Sequence, residues 1–179
     1  MSESRASSSD RYITSQSGDA WATDAAEQGK IGTQQLISVE TVPATAEVRL
    51  ALGLPDGADV VVRRRLILAD AQPVEIAESY YPAAIAAGTP LAENSKIRGG
   101  AVRVLAEAGY QLDESIERIT AEHPSESEAA LLEVDPTEPL IVMRRLSTTD
   151  DRGPVEYAIN RMVSSRVQPP EYRMRNTAK

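Results

Sequence analysis

The sequence contains no cysteine and no phenylalanine, and it has one tryptophan and one histidine. Without cysteine, the chain can form neither a disulfide scaffold nor a zinc–thiolate site. Aromatic residues make up only 4% of the chain, which disfavours a platform for stacking nucleic-acid bases. No apolar run approaches the ~20 residues that a membrane-spanning helix needs. The polar segment 1–10 does not read as a signal peptide. We therefore predict a cytoplasmic protein.

Positive charge is also scarce, because 19 lysines and arginines face 27 aspartates and glutamates, giving a net charge of −8. A phosphate backbone is bound through a basic footprint, so we predict no direct DNA binding by this chain. The composition is otherwise that of a globular protein, with 41% hydrophobic and 26% charged residues in 179 positions. We predict a disordered tail over residues 1–19 and one ligand-binding domain over residues 20–175.

Helical and alternating patterns follow one another along the domain. Period-two alternation predicts strands over residues 34–41, 60–68, 73–81, 115–122, 140–148 and 155–163. Helices are predicted over residues 21–27, 44–52 and 126–132, and after the glycine pair 99–100. Hairpins separated by helices indicate an α+β fold with an antiparallel sheet flanked by helices.

The two strongest hairpins resemble each other. Residues 64–77 read RRLILADAQPVEIA, and residues 144–158 read RRLSTTDDRGPVEYA. Both contain Arg-Arg-Leu, an aspartate in the turn, and then Pro-Val-Glu. The domain is therefore a candidate for two related halves about an approximate two-fold axis, and chance recurrence of hairpin sequence is the alternative.

Three consecutive arginines lie in the strand predicted over residues 60–68. Alternation puts Arg63 and Arg65 on one face and Arg64 on the other, together with the apolar Val60, Val62, Leu66 and Leu68. An arginine on a half-buried strand needs a carboxylate or an anionic ligand as its partner. Two readings stay open, an anion site and structural pairing with Glu75, Glu78 or Asp70.

Other candidate groups are weaker. Glu156 and Asn160 are four apart on a strand and share a face, either towards a polar ligand or towards solvent. The glycine pair ending at Gly100 opens a helix, whose backbone N–H groups could bind an anion. The single histidine, His123, supports neither a metal site nor a catalytic triad. We predict no catalytic residue, no metal and no cofactor.

Taken together, residues 11–172 resemble the UTRA domain, the effector-binding half of HutC-type GntR transcription regulators. The stretches that carry the resemblance are RRRLILADAQPVEIAESYYPAAIAAGTPL, KIRGGAVRVLAEAGY, ERITAEHPSESEAALLEVDPTEPLIVMRRL and DRGPVEY. The resemblance implies a chorismate-lyase-like fold, a ligand pocket over the sheet, and a homodimer. A full regulator of this family also carries a winged helix-turn-helix, which we do not find in this chain.

The resemblance also implies where a ligand binds. In the family, contacts come from the Arg-x-Arg strand, the helix start at the glycine pair and the Pro-Val-Glu hairpin. With the candidates above, the predicted ligand-binding residues are Arg63, Arg65, Glu78, Ser79, Gly100, Glu122, Glu156 and Asn160. This chain has Ile67 and Ala77 where phosphate-binding relatives often have arginine and glutamate, and Glu122-His123 where relatives have an arginine pattern. These differences argue against a phosphosugar, although the ligand is still expected to be anionic.

Three functions follow. The first is a small-molecule effector-sensing domain that controls a transcription regulator by population shift. The second is an enzyme on a chorismate-lyase-like fold that acts on a small carboxylated metabolite, bound by its arginines. The third is a dimerising antagonist that pairs with full-length regulators. The first is our prediction.

Overall fold

The computed structural model describes residues 6–7, 20–97, 99–168 and 170–173. Its strands are β1 Ala6–Ser7, β2 Gly32–Pro43, β3 Asp59–Ala69, β4 Gln72–Pro82, β5 Glu114–Glu122, β6 Leu140–Thr149, β7 Gly153–Val163 and β8 Tyr172–Arg173. The α-helices are α1 Ala20–Glu27, α2 Ala46–Leu52, α3 Ala83–Ala86, α4 Gly100–Glu107 and α5 Glu126–Leu132, and a 3₁₀ turn covers Pro90–Ala92.

Six strands form one sheet in the order β2-β3-β4-β7-β6-β5, and each neighbouring pair is antiparallel. Two tight hairpins, β3–β4 and β6–β7, supply the four central strands. The first turns on Asp70 and Ala71, which have φ angles of 50° and 64°. Two successive left-handed residues give the turn geometry that matches the twist of a hairpin. The predicted α+β fold with an antiparallel sheet is confirmed.

The chain builds this sheet from two similar halves. Each half is a strand, a short helix and a hairpin, namely β2-α2-β3-β4 and β5-α5-β6-β7. The helices begin at N-caps 80 positions apart, Thr45 and Ser125, and end at left-handed residues 80 positions apart, Gly53 and Glu133. The repeat seen in the two hairpin sequences therefore extends to the strand and helix before each hairpin.

The two faces of the sheet carry different coverings. On the first, the helix face, α2 and α5 pack on the strands through the largest apolar cluster, which is Val48, Leu52, Val60, Leu66, Leu68, Ile76, Leu132, Leu140, Val142, Tyr157, Ile159 and Val163. The second, the cap face, is covered by residues 83–97 and 99–107, which we call the cap segment. Its cluster is Val61, Tyr81, Ala86, Leu91, Val104, Leu105 and Val155.

Helix α1 also lies against the cap face. Trp21 packs on the cluster of Ile67, Ala69, Val74 and Ala77, and its indole Nε1 donates to the carbonyl of Leu68 at 2.9 Å. An indole N–H needs an acceptor when it leaves water, and the strand end supplies one. This contact fixes the helix at the start of the domain to the end of β3.

A short strand lies within the predicted tail. Residues 1–19 were expected to be disordered, yet Ala6–Ser7 pair antiparallel with Tyr172–Arg173. Ladder hydrogen bonds join backbone groups, so a polar composition does not prevent them. The other residues of the predicted tail lie outside the described residues. Within the described part of the chain, no helix is long and apolar enough to cross a membrane.

Candidate functional site

A pocket opens on the cap face between β2, β3, β4 and the cap segment, with a cavity volume of ≈ 90 Å³. The strands contribute its floor and the cap segment contributes one wall. The described residues that line it are Gln34, Leu36, Arg63, Arg65, Ser79, Tyr81, Lys96, Ile97, Gly100 and Ala101. The pocket is therefore a small concave site lined by cationic, hydroxyl-bearing and apolar side chains.

Arg65 presents an unsatisfied donor at this site. Its Nη2 donates to the hydroxyl of Ser79 at 3.2 Å across the β3–β4 pair. Its Nε is buried, and among the described residues it makes no hydrogen bond. A buried donor of a charged group that lacks an acceptor carries a desolvation cost. The guanidinium of Arg65 therefore has hydrogen-bonding capacity that the described residues do not use.

Arg63, two residues earlier on the same face, is used differently. Its side chain is 4% exposed, and burial lowers its pKa. Its guanidinium donates to four backbone carbonyls of the cap segment at 2.7–3.2 Å, those of Pro90, Leu91, Glu93 and Ser95. Arg63 therefore holds the cap segment over the pocket, in addition to lining it.

Tyr81 connects the pocket to the second hairpin. The ring is 1% exposed, and its hydroxyl donates to Glu156 Oε1 at 2.7 Å. Burial and the neighbouring Glu156 carboxylate raise the pKa of Tyr81 well above its ordinary value. Glu156 lies on the cap face but is not among the lining residues. It is connected to the pocket by its hydrogen bond with the Tyr81 hydroxyl.

The glycine pair shapes the end of the pocket. Gly99 and Gly100 have φ angles of 82° and 78°, a left-handed conformation that residues with a Cβ adopt at a cost. A Cβ on Gly99 would come within 2.8 Å of the Arg103 side chain. The pair turns the chain so that α4 starts at the pocket wall, where Gly100 and Ala101 lie. The N–H groups of a first helical turn suit an anion, and here that of Gly100 donates to the carbonyl of Ile97 at 3.4 Å.

The structure brings together half of the predicted residues. Arg63, Arg65, Ser79 and Gly100 line the pocket. Glu156 is on the same face and contacts Tyr81. Asn160 shares that face but stands opposite Ala77 and Met143, outside the lining.

Glu78 and Glu122 are not brought together with this group. Both lie on the helix face. Glu78 accepts from Arg64 and Arg161, each at 2.7 Å, and Glu122 accepts from Arg144 at 2.7 Å. Alternation along β4 and β5 turns these side chains away from the pocket. Pairing across the hairpin, the structural alternative considered for the arginines, therefore holds for Arg64.

Several lining residues were missed from the sequence. Tyr81 follows Ser79 at the spacing that returns a strand to the same face, a signal that was available. Lys96 and Ile97 precede the glycine pair and come to the pocket because Arg63 holds the segment that contains them. Gln34 and Leu36 lie on the edge strand β2, opposite Ile67 and Arg65.

A half-buried carboxyl lies beside the pocket. Glu75 faces the cap face near Arg65 and Arg145, and burial raises its pKa to about 7 although both arginine charges oppose the shift. Arg145 itself is paired with Glu117 at 2.7 Å. Among the described residues, no group of three or more histidine, aspartate or glutamate side chains could hold a metal ion.

Comparison with known proteins agrees with this architecture. The UTRA domain family matches residues 27–168. An uncharacterised HTH-type transcriptional regulator of Streptomyces coelicolor is 41% identical over 129 residues, which are 70% of this chain and 48% of that protein. A second such regulator, from Rhizobium meliloti, is 30% identical over 142 residues, 78% of this chain and 56% of that one. The chain thus spans about half the length of these curated relatives.

Solved structures share the fold. The effector domain of PhnF from Mycobacterium smegmatis superposes with a TM-score of 0.71 at 23% identity, covering 82% of this chain and 89% of that one. The C-terminal domain of the histidine utilization repressor from Pseudomonas syringae gives a TM-score of 0.69 at 22% identity, covering 81% and 99%. With the family match over residues 27–168, these findings confirm the resemblance: the chain belongs to the UTRA domain family and has its chorismate-lyase-like fold.

Proposed function

We propose that this chain senses a small anionic effector on the cap face for a cytoplasmic transcription regulator of the GntR type. One observation carries the proposal. The Nε of Arg65 is buried at the pocket and has no acceptor within the described part of the chain. An anion bound there would accept from it and remove the cost of an unpaired charged donor.

The lining supports an anion more broadly. Of its ten described residues, Arg63, Arg65 and Lys96 are cationic and none is a carboxylate. The first turn of α4 adds the positive end of a helix dipole at Gly100. Glu75 and Glu156 lie nearby but outside the lining. The electrostatic field within the pocket therefore favours a negative ligand.

A sensor domain must also couple ligand binding to a conformational change elsewhere in the protein. Arg65 is two residues from Ile67 on the same strand face, and Ile67 packs in the cluster against which Trp21 of α1 lies. A ligand that binds one arrangement of this region more tightly shifts the population towards it. Because the relatives are HTH-type transcriptional regulators, we infer that the shift controls the DNA affinity of a regulator.

The chain is also proposed to form a homodimer. Strands β2 and β5 end the sheet, and in the described residues each has one edge that no strand covers. Ile37 on β2 is 42% exposed, and Ile116 and Ile119 on β5 are 43% and 39% exposed. Open edges with apolar side chains invite pairing with another chain. Sedimentation should give about twice the 19.3 kDa monomer mass, and a monomer at tens of micromolar would contradict the proposal.

The binding proposal is tested at Arg65. A thermal-shift screen of the full chain against carboxylated and phosphorylated metabolites identifies a ligand, whose affinity is then measured for Arg65→Ala. Loss of a charged hydrogen bond should weaken binding by about 1.5–3 kcal/mol. Arg49→Ala is the control, because Arg49 pairs with Asp56 away from the cap face. Unchanged affinity in Arg65→Ala, or an unfolded variant, would mean that Arg65 is structural.

A further inference from the structure

The arginine of the proposed anion site has a counterpart in the second half of the chain. Arg65 on β3 stands directly opposite Leu36 of the edge strand β2. Arg145 on β6, 80 positions later, stands opposite Glu117 of the other edge strand, β5. On their other side, both arginines are paired with an alanine. The two arginines therefore occupy equivalent places in the sheet, and the side chain on the neighbouring edge strand is what differs between them.

In the second half, that neighbouring side chain is a carboxylate bound to the arginine. One oxygen of Glu117, Oε1, accepts from Arg145 Nε at 2.7 Å and lies 2.6 Å from Nη2. Only 9% of the arginine side chain and 12% of the glutamate side chain are exposed. Charged groups that leave water in this way need direct hydrogen bonds to offset the cost. Arg145 thus shows how this place in the sheet holds a carboxylate.

In the first half, the residue that corresponds to the glutamate is Leu36, whose side chain has no acceptor. The buried Nε of Arg65 makes no hydrogen bond with any described residue. Both Leu36 and Arg65 line the pocket. Directly opposed residues of antiparallel strands have Cβ atoms about 4.5–5.5 Å apart, so the space over the leucine is within reach of the guanidinium. The nitrogen that binds a carboxylate in one half is therefore unpaired in the other, at the wall of a pocket.

We propose that the effector presents a carboxylate to Arg65 over Leu36, in the place that Glu117 fills beside Arg145. Glu117 is then the internal occupant of a second, equivalent site, which the chain keeps closed to ligands. Leu36 determines specificity in this scheme, because its lack of charge leaves Arg65 for a ligand. This inference rests on the proposed anion site, and it adds the chemical class of the anionic group and its position.

Leu36→Glu tests the position, and Leu36→Gln is its matched control of the same length without the charge. A carboxylate at position 36 should pair with Arg65 as Glu117 pairs with Arg145. We therefore expect Leu36→Glu to melt about 5 °C above Leu36→Gln at neutral pH, since a charged hydrogen bond stabilises the fold. The Nε–H resonance of Arg65, assigned in NMR spectra by its loss in Arg65→Lys, should differ between the two variants.

Acetate is the probe for binding, and inorganic phosphate is the second anion. In the wild-type chain, we expect acetate to move the Nε–H resonance of Arg65 in a saturable titration. In Leu36→Glu, the affinity for acetate should be about ten-fold lower, or less, than in Leu36→Gln. The reason is that a carboxylate held beside the arginine competes with the added anion at a high effective concentration.

The second half offers the reciprocal test. Glu117→Ala removes the internal occupant and leaves Arg145 without the partner that it has in the wild type. Acetate should raise the melting temperature of this variant more than that of the wild type, compared with chloride at equal ionic strength, because a ligand of the folded state stabilises it. Glu114→Ala, at an exposed residue of the same strand, is the control and should respond as the wild type does. An equal effect of acetate on Glu117→Ala and the wild type would contradict the proposal.

The outcomes separate this inference from the anion site on which it rests. Suppose that acetate moves the Arg65 resonance of the wild type, but Leu36→Glu matches Leu36→Gln in melting and in acetate affinity. The equivalence with Glu117 is then wrong and the anion site stands. A response to phosphate with none to acetate overturns the carboxylate in the same way. If neither anion moves the resonance, the anion site itself is wrong and this inference falls with it. Should Glu117→Ala fail to fold, the comparison at position 36 still decides.

Discussion

Arg63, Arg64 and Arg65 are neighbours in the chain, yet their guanidinium groups meet three different environments. Arg64 turns to the helix face and pairs with Glu78 at 2.7 Å. The guanidinium of Arg63 donates hydrogen bonds to backbone carbonyls of the cap segment. The buried Nε of Arg65 has no acceptor within the described ranges of the chain. Of these three arginines, only Arg65 has a buried donor that lacks an acceptor among the described residues.

A second residue near Arg65, Glu75, makes the stability of the fold depend on pH. The carboxyl of Glu75 has its pKa raised to about 7 by burial, from an ordinary value of 4.5. Between these two pH values the folded protein holds a proton that the unfolded chain releases. The stabilising contribution of the protonated carboxyl is therefore complete below pH 4.5 and is lost as the pH rises through 7.

Replacing Glu75 with glutamine should remove this loss. We expect Glu75→Gln to change the free energy of unfolding little at pH 4.5. At pH 8 it should raise that free energy by roughly 3 kcal/mol, which is what a pKa shift of this size corresponds to. Urea unfolding at both pH values measures the difference. Glu114→Gln, on an exposed strand end, is the control. A gain of the same size at both pH values would contradict the electrostatic account.

At the scale of elements, strands and hairpins were predictable because their side chains alternate between two surfaces of different polarity. The six strands of the sheet agree with the predicted ranges within a few residues. The capping box of Ser125 and Glu128 on α5 also agrees with the sequence. Alternation also separates two of the predicted ligand-binding residues. Glu78 and Ser79 are adjacent on β4, so one pocket could not have included both.

The cap segment was not predictable in the same way. Residues 90–97 carry no periodic pattern, and their position depends on the carbonyl bonds from Arg63, a residue about 30 positions earlier. A side chain that binds backbone carbonyls leaves no signal at the residues it binds, because every residue has a carbonyl. Lys96 and Ile97 could therefore not be assigned to the pocket before the fold was known.

The clamp on the cap segment can be tested at Arg63. Arg63→Lys keeps the charge, but an ammonium has three donors and lacks the fork with which a guanidinium spans four carbonyls. We expect the free energy of unfolding to fall by about 2 kcal/mol, and amide hydrogen exchange of residues 90–97 to accelerate while that of β6 and β7 changes less. Arg103→Lys, at an exposed pair with Glu107, is the control. If exchange in the cap segment stays at its wild-type rate, Arg63 does not hold it.

At the scale of the molecule, the two halves are alike on the helix face and differ on the cap face. Met143 stands where the first half has Arg63, 80 positions earlier. Arg145 stands where it has Arg65, but Arg145 is paired with Glu117 at 2.7 Å. The cap segment packs on the first half, at Val61 and Tyr81. The duplicated framework thus keeps an available arginine in its first half, and the second half uses the equivalent residue for structure.

The charge distribution of the whole chain leads to a last prediction, that these 179 residues do not bind duplex DNA. The net charge is −8, and Arg64, Arg144, Arg145 and Arg161 are each paired with a carboxylate. Binding to a phosphate backbone requires basic side chains that can replace counterions, and paired arginines in an acidic surface cannot supply them. A gel-shift assay at low salt should show no complex at micromolar protein. Sub-micromolar binding that weakens steeply with added salt would contradict this prediction, because such a dependence arises only when several cationic groups contact phosphates.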